Sequence, residues 1–119
     1  MGILVIGTAF VDIKGFPDGA YIPTGRNVGQ VRYIHGGVAR NVVEDIANLE
    51  LRPTYLGIVD DTPMGADVLN KLNDHKVNTD YVLTQPDGMG LWLAVFDANG
   101  DVAGSFSKRH NASALLHQL

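Results

Sequence analysis

Residues 36–41 read Gly36, Gly37, Val38, Ala39, Arg40, Asn41, between a polar segment rich in Val and Tyr and a stretch of helical period. Paired glycines let a backbone come into contact with a ligand, and an amide at the opening of a helix joins N–H groups that have no partner inside that helix. Asn41 adds both a donor and an acceptor to this corner, which suits a small ligand carrying hydroxyls. A carboxylate stands upstream at Asp12, just after an apolar run, and could accept two neighbouring hydroxyls in charge-assisted bonds. Each residue also has a plainer reading: a loop cap for Asp12, a tight turn for Gly36 and Gly37, solvation of the first helical turn for Asn41.

Other polar residues point less directly to chemistry. Arg40 reads as a solvated helix arginine, and Asp61 as support for the turn before the next helix. His35, His75, His110 and His117 show no spacing suited to a metal. Asn111, Ala112 and Ser113 form a glycosylation sequon that, without a signal peptide, is chance. Trp92, flanked by apolar residues, is open to two readings, stacking on a ligand or packing in a core.

The elements that must hold these groups alternate strand and helix and then close in a hairpin. The run 3–6 reads as a strand covered on both faces, and 16–19 as a turn. Residues 21–35 suggest exposed strands. Residues 38–49 predict a helix whose buried stripe is Ala39, Val42, Val43, Ile46 and Leu49. A second buried strand is expected over 54–59. Thr62 reads as an N-cap with Pro63 at the first helical position, and Val68, Leu69 and Leu72 as that helix's inner face. A short strand over 81–84 precedes a hairpin of 91–96 and 102–106, whose Asn99 and Gly100 are expected to supply positive φ angles. This order implies a parallel sheet with right-handed crossovers plus a small extra sheet.

Composition narrows the classes. At 119 residues the chain is one domain by length, able to bury roughly two thirds of its extended surface. Net charge is −4, and nine scattered Lys and Arg residues form no basic stripe, so nucleic acid is not an expected partner. Cysteine is absent, which excludes disulfides and thiolate zinc sites. The apolar start lacks a basic flank and is too short to span a bilayer, so no membrane partner is expected and the location is read as cytoplasmic. A dinucleotide-binding reading lacks its Gly-x-Gly-x-x-Gly after the first strand.

Gly36 to Asn41 resembles the first signature of the ribokinase (PfkB) family of sugar and nucleoside kinases, in the form carried by pseudouridine-kinase-like members. Gly7, Thr8, Ala9, Phe10, Val11 and Asp12 look like that family's first strand and the acid that grips sugar hydroxyls, and Asp60 to Gly65 resembles its Gly-Asp-Asp-x-x-Gly turn with Asp60 in place of the opening Gly. Three departures stand out: Val43 where the family has a small residue, Glu50 where it has Gly, and Phe10 where many members carry a sugar-contacting Asn.

The resemblance implies a ribokinase-like α/β fold, with lid strands at about 16–35 and 91–107 and an α/β part at about 2–15 and 36–84. It implies substrate contacts at Asp12, Gly36, Gly37 and Asn41, and transfer of the γ-phosphoryl of ATP, with magnesium, to a hydroxymethyl group. Family members are longer and carry a Gly-Ala-Gly-Asp motif holding the catalytic base and an anion hole; no such motif occurs in these 119 residues. The expectation is therefore an amino-terminal part, inactive alone, binding nucleotide mainly outside this chain and dimerising through its lid sheet. A non-catalytic sugar- or nucleoside-binding module is the alternative.

Overall fold

The computed structural model describes residues 2–116. Its elements follow as β1 (Leu4–Ile6), β2 (Phe10–Pro17), β3 (Gly29–Gly36), α1 (Val38–Asn48), β4 (Thr54–Leu56), β5 (Ile58–Val59), α2 (Pro63–Asp74), β6 (Leu83–Thr84), β7 (Gly90–Phe96), β8 (Val102–Lys108) and α3 (Ser113–Leu116). Two short parallel pairs, β1 with β4 and β5 with β6, form the α/β part. Its core gathers Ala9, Val11, Val43, Tyr55, Val59, Val68, Leu72, Val77 and Met89.

The strand expected over 54–59 is broken at Gly57. A Cβ there would run into the Tyr55 ring, which folds back under the chain and is fully buried. β1 is less covered than a two-faced strand should be, because it pairs only with β4 and leaves Leu4 and Ile6 exposed. On α1 the inward face is narrower than the periodic stripe. Val43 is buried, whereas Val42 and Leu49 are exposed along with Val38.

Helix ends are set by backbone geometry and short side chains. Thr62 is in extended conformation with Pro63 beginning α2, and its hydroxyl accepts from Gly65 N at 3.4 Å. Asp60, rather than Asp61, braces this cap: its Oδ1 accepts from Thr62 Oγ1 at 2.5 Å and from Thr62 N at 3.1 Å, and it is buried while Asp61 is exposed. At the far end, Lys76 N bonds Asn73 O and Val77 N bonds Leu72 O, closing a Schellman turn that drives Val77 into the core.

The lid is a four-stranded sheet in the order β3-β2-β7-β8. Its central strand corrects the expected boundary, since residues 10–15, assigned to the α/β part, belong to β2, paired antiparallel to β3 and parallel to β7. Residues 18–28 form a connection rather than strand. The β7–β8 turn also differs from expectation. Gly100 alone has positive φ, its N–H bonds Asp97 O, and Asp97 N bonds Asp101 O, so a turn followed by a glycine bulge replaces a two-residue Asn-Gly turn.

Register sorts the lid residues onto two faces. Asp12, Ile34 and Trp92 are direct neighbours on one, together with Lys14 and Arg32. Ile13, Tyr33, Leu93 and Phe106 form a row across all four strands on the other. Tyr33 and Trp92 therefore point in opposite directions.

Candidate functional site: a cleft between sheet and helix

The cleft lies where the lid leaves the α/β part, about 730 Å³ in volume, and is walled by β1, the start of β2 and the first turn of α1. Asp12, Phe10, Gly37 and Asn41 line it. Gly36 does not line it but supports it, because a Cβ on Gly36 would lie 3.4 Å from Asp12 Oδ2. All four residues singled out by sequence thus converge, although Asp12 comes from within a lid strand rather than from the end of the first strand.

Gly37 is required twice over. Its φ of 95° is disfavoured for residues with a side chain, and a Cβ would sit 2.7 Å from Thr8 O and 3.1 Å from the Ala9 Cα. As the N-cap of α1 it supplies no side-chain acceptor, so the N–H groups of the first turn stay open beside the Gly36–Asp12 contact. The positive end of the helix dipole there favours a carboxylate and any oxygen a ligand brings.

Arg40 overturns the solvated-helix reading. It is 6% exposed, its Nη1 pairs with Glu44 Oε2 at 2.6 Å, and its Nη2 donates to Asn41 Oδ1 at 2.6 Å. Glu44 Oε1 in turn lies 3.6 Å from His75 Nε2, at the end of α2. The group that looked like an incidental neighbour of Asn41 is its anchor. Periodicity missed it because position 40 falls beside the apolar stripe, and only the Glu44 four residues on hinted at a partner.

Two further contacts hold the walls. Tyr55 donates its hydroxyl to Gly7 O at 3.1 Å, fixing the part of the cleft wall that Gly7 forms; burial raises its pKa well above the ordinary tyrosine range, with Arg40 pulling the other way. On the lid's opposite face, His35 Nε2 lies 3.1 Å from Asp67 Oδ2 of α2, a strut between sheet and helix. Burial lowers the His35 pKa, and the Asp67 hydrogen bond opposes that shift.

The site can hold a ligand with adjacent hydroxyls between an acceptor, Asp12, and a donor, the Asn41 amide. It does not fit a magnesium–nucleotide complex. Among the described residues no three His, Asp or Glu converge on a point that could hold a metal, and the cleft offers one carboxylate. Nor is any described helix long and apolar enough to cross a membrane.

The architecture is that of the ribokinase-like kinases. The crystal structure of a candidate sugar kinase from Clostridium perfringens superposes with a TM-score of 0.87 over 98% of this chain and 39% of that one, at 23% identity. The Arabidopsis thaliana ribokinase complexed with ribose and ATP gives 0.76 over 90% and 35%, at 18% identity. The chain belongs to the pfkB family of carbohydrate kinases, whose pattern it matches over residues 2–119. Among curated relatives it is 38% identical over 114 residues to a guanosine-inosine kinase of Exiguobacterium acetylicum, and 24% identical over 114 residues to a pseudouridine kinase of Escherichia coli. Each alignment covers 95% of this chain but only 38% and 36% of the relative, so the chain spans little more than a third of their length.

Proposed function

We propose that this chain is the acceptor-binding half and lid of a kinase that moves the γ-phosphoryl of ATP, with magnesium, to a hydroxymethyl group of a sugar or nucleoside in the cytoplasm. The observation that carries the reading is the meeting of Asp12 from the sheet with Asn41 from the helix in one cleft. Asp12 accepts two ligand hydroxyls, and the Asn41 NH2, whose partner oxygen is taken by Arg40, donates to a third. Held from two sides, the acceptor has one orientation, which is the main service such a site gives to phosphoryl transfer.

The base and the nucleotide site lie outside these residues in this reading, so the 119-residue chain alone has no substrate-dependent turnover. A coupled ATPase assay tests that, and turnover by the chain would overturn it. Asp12→Asn tests the acceptor role: loss of a charged hydrogen bond weakens sugar or nucleoside binding by about 1.5–3 kcal/mol at unchanged melting temperature. Equal binding would remove Asp12 from the site.

The exposed members of the lid row through Ile13 support a homodimer. Tyr33 and Phe106 are 64% and 78% exposed, and with Leu93 they make an apolar strip suited to packing against its own copy. Sedimentation at micromolar concentration should find a dimer that Phe106→Lys dissociates and Trp92→Lys, on the other face, does not.

A further inference from the structure

Resting on the acceptor-site reading above, we propose that Phe10 makes this cleft selective for nucleosides over free sugars, by giving the plane of the base a fixed apolar wall beside the hydroxyl-binding Asp12. Phe10 lines the cleft on the same sheet face as Asp12. Its ring is held from two directions. Gly90 is its register partner on β7, and a Cβ there would collide with the ring atoms Cδ2, Cε2 and Cζ, so the missing side chain is what lets the ring lie over the strand. The His110 imidazole then meets it edge-on, with centroids 5.1 Å apart and planes at 69°. An aromatic side chain seated on a glycine and braced at its edge keeps its orientation when a ligand arrives, and ordering it costs little on binding.

On the sheet face around Asp12, Lys14 and Arg32 lie over the rings of Trp92 and Phe16, 5.9 and 5.3 Å from their centroids, and neither is paired with the carboxylate. The two cross-strand neighbours of Asp12 are Ile34, 42% exposed, and Trp92. A free sugar carries hydroxyls around its whole ring, and those turned toward Phe10 or Ile34 would lose water without finding a partner. A nucleoside divides its chemistry as the cleft does, with hydroxyls gathered on the ribose for Asp12 and Asn41 and a flat base whose weakly hydrated face suits Phe10. Pockets that combine an apolar wall with one or two placed polar groups discriminate in this manner.

The test is a titration of the 119-residue chain with inosine and, separately, D-ribose, followed by calorimetry or ligand-observed NMR, on wild type, Phe10→Tyr, Phe10→Leu, Phe10→Asn and Asp12→Asn. Inosine should bind more tightly than ribose. Removing the ring in Phe10→Asn should weaken inosine about tenfold, the scale of one base–aromatic contact, and should not weaken ribose. Phe10→Tyr should retain the wild-type preference. If Phe10→Asn does not melt cooperatively, Phe10→Leu gives the same comparison, since it still covers Gly90 but offers no ring. An inosine-to-ribose ratio indifferent to loss of the ring, with Asp12→Asn weakening both ligands, overturns the selectivity and leaves the acceptor site standing. Indifference of both ligands to Asp12→Asn, or no binding of either, overturns the site and the selectivity together.

Discussion

Arg40 Nη2 donates to Asn41 Oδ1 across 2.6 Å, and because a guanidinium has no acceptor, that contact decides which end of the Asn41 amide is free. The NH2 is left for the cleft. A side chain that would otherwise rotate between donor and acceptor is thereby made a donor, and the ion pair of buried Arg40 with half-buried Glu44 keeps it so.

Arg40→Met leaves Glu44 in a largely enclosed position without its cation, which should cost on the order of 3 kcal/mol of stability. Adding Glu44→Leu should recover most of the loss. Urea melts of the two variants and wild type measure this; equal losses in single and double variants would mean the pair is not what Arg40 contributes.

Glu50 occupies the left-handed region at φ 63°, one residue past the C-cap of α1, with its N–H on Ala47 O. Glycine takes this conformation freely and glutamate does not, so Glu50→Gly should stabilise the chain by about 1 kcal/mol. The family's glycine at this position has its explanation here. Thermal denaturation should show a higher midpoint; a lower one would mean that Glu50 makes a compensating contact.

Gly37→Ala is the opposite case. The added methyl meets Thr8 O at 2.7 Å in a backbone conformation that already opposes it, so a loss of about 2 kcal/mol or more is expected. Gly36→Ala, whose methyl would rest 3.4 Å from the Asp12 carboxylate, should fold normally and bind ligand less well. Circular dichroism melts paired with ligand titration separate the two outcomes.

His35 makes stability depend on pH with a definite sign. Burial lowers its folded-state pKa below 6.5, against the pull of Asp67, so between the two values the unfolded chain holds more protons. Stability is complete above pH 6.5 and falls as pH drops through the folded-state value. His35→Gln, which can still bond Asp67, should flatten that limb. Urea midpoints across this range check it, and an equally steep limb in the variant would place the dependence elsewhere.

Much of the site was legible because its residues sit near one another in sequence or follow a strong apolar run. Gly36, Gly37 and Asn41 span a single helix start, and Asp12 follows the chain's first apolar segment. The lid was less legible. β2 owes its existence to partners on both sides, β3 antiparallel and β7 parallel, and local alternation carries no record of either. For the same reason the opposed directions of Tyr33 and Trp92 need register, which one residue of slip would reverse. Arg40 escaped because a charged residue becomes buried only through partners, here Glu44 and Asn41, that sequence does not place in three dimensions. Asp60 rather than Asp61 took the cap because Gly65 leaves space for it, a Cβ there lying 2.5 Å from Asp60 Oδ1.

β2 carries Asp12 and continues without interruption to the lid's outer end at Pro17. The carboxylate is thus carried by the lid sheet, joined to the α/β part through the short backbone around Gly7 to Ala9 and Gly36 to Gly37, while Asn41 belongs to α1. Any tilt of the sheet against α1 would change the gap between Asp12 and Asn41, so the fit of a ligand spanning both depends on the angle at which sheet and helix meet.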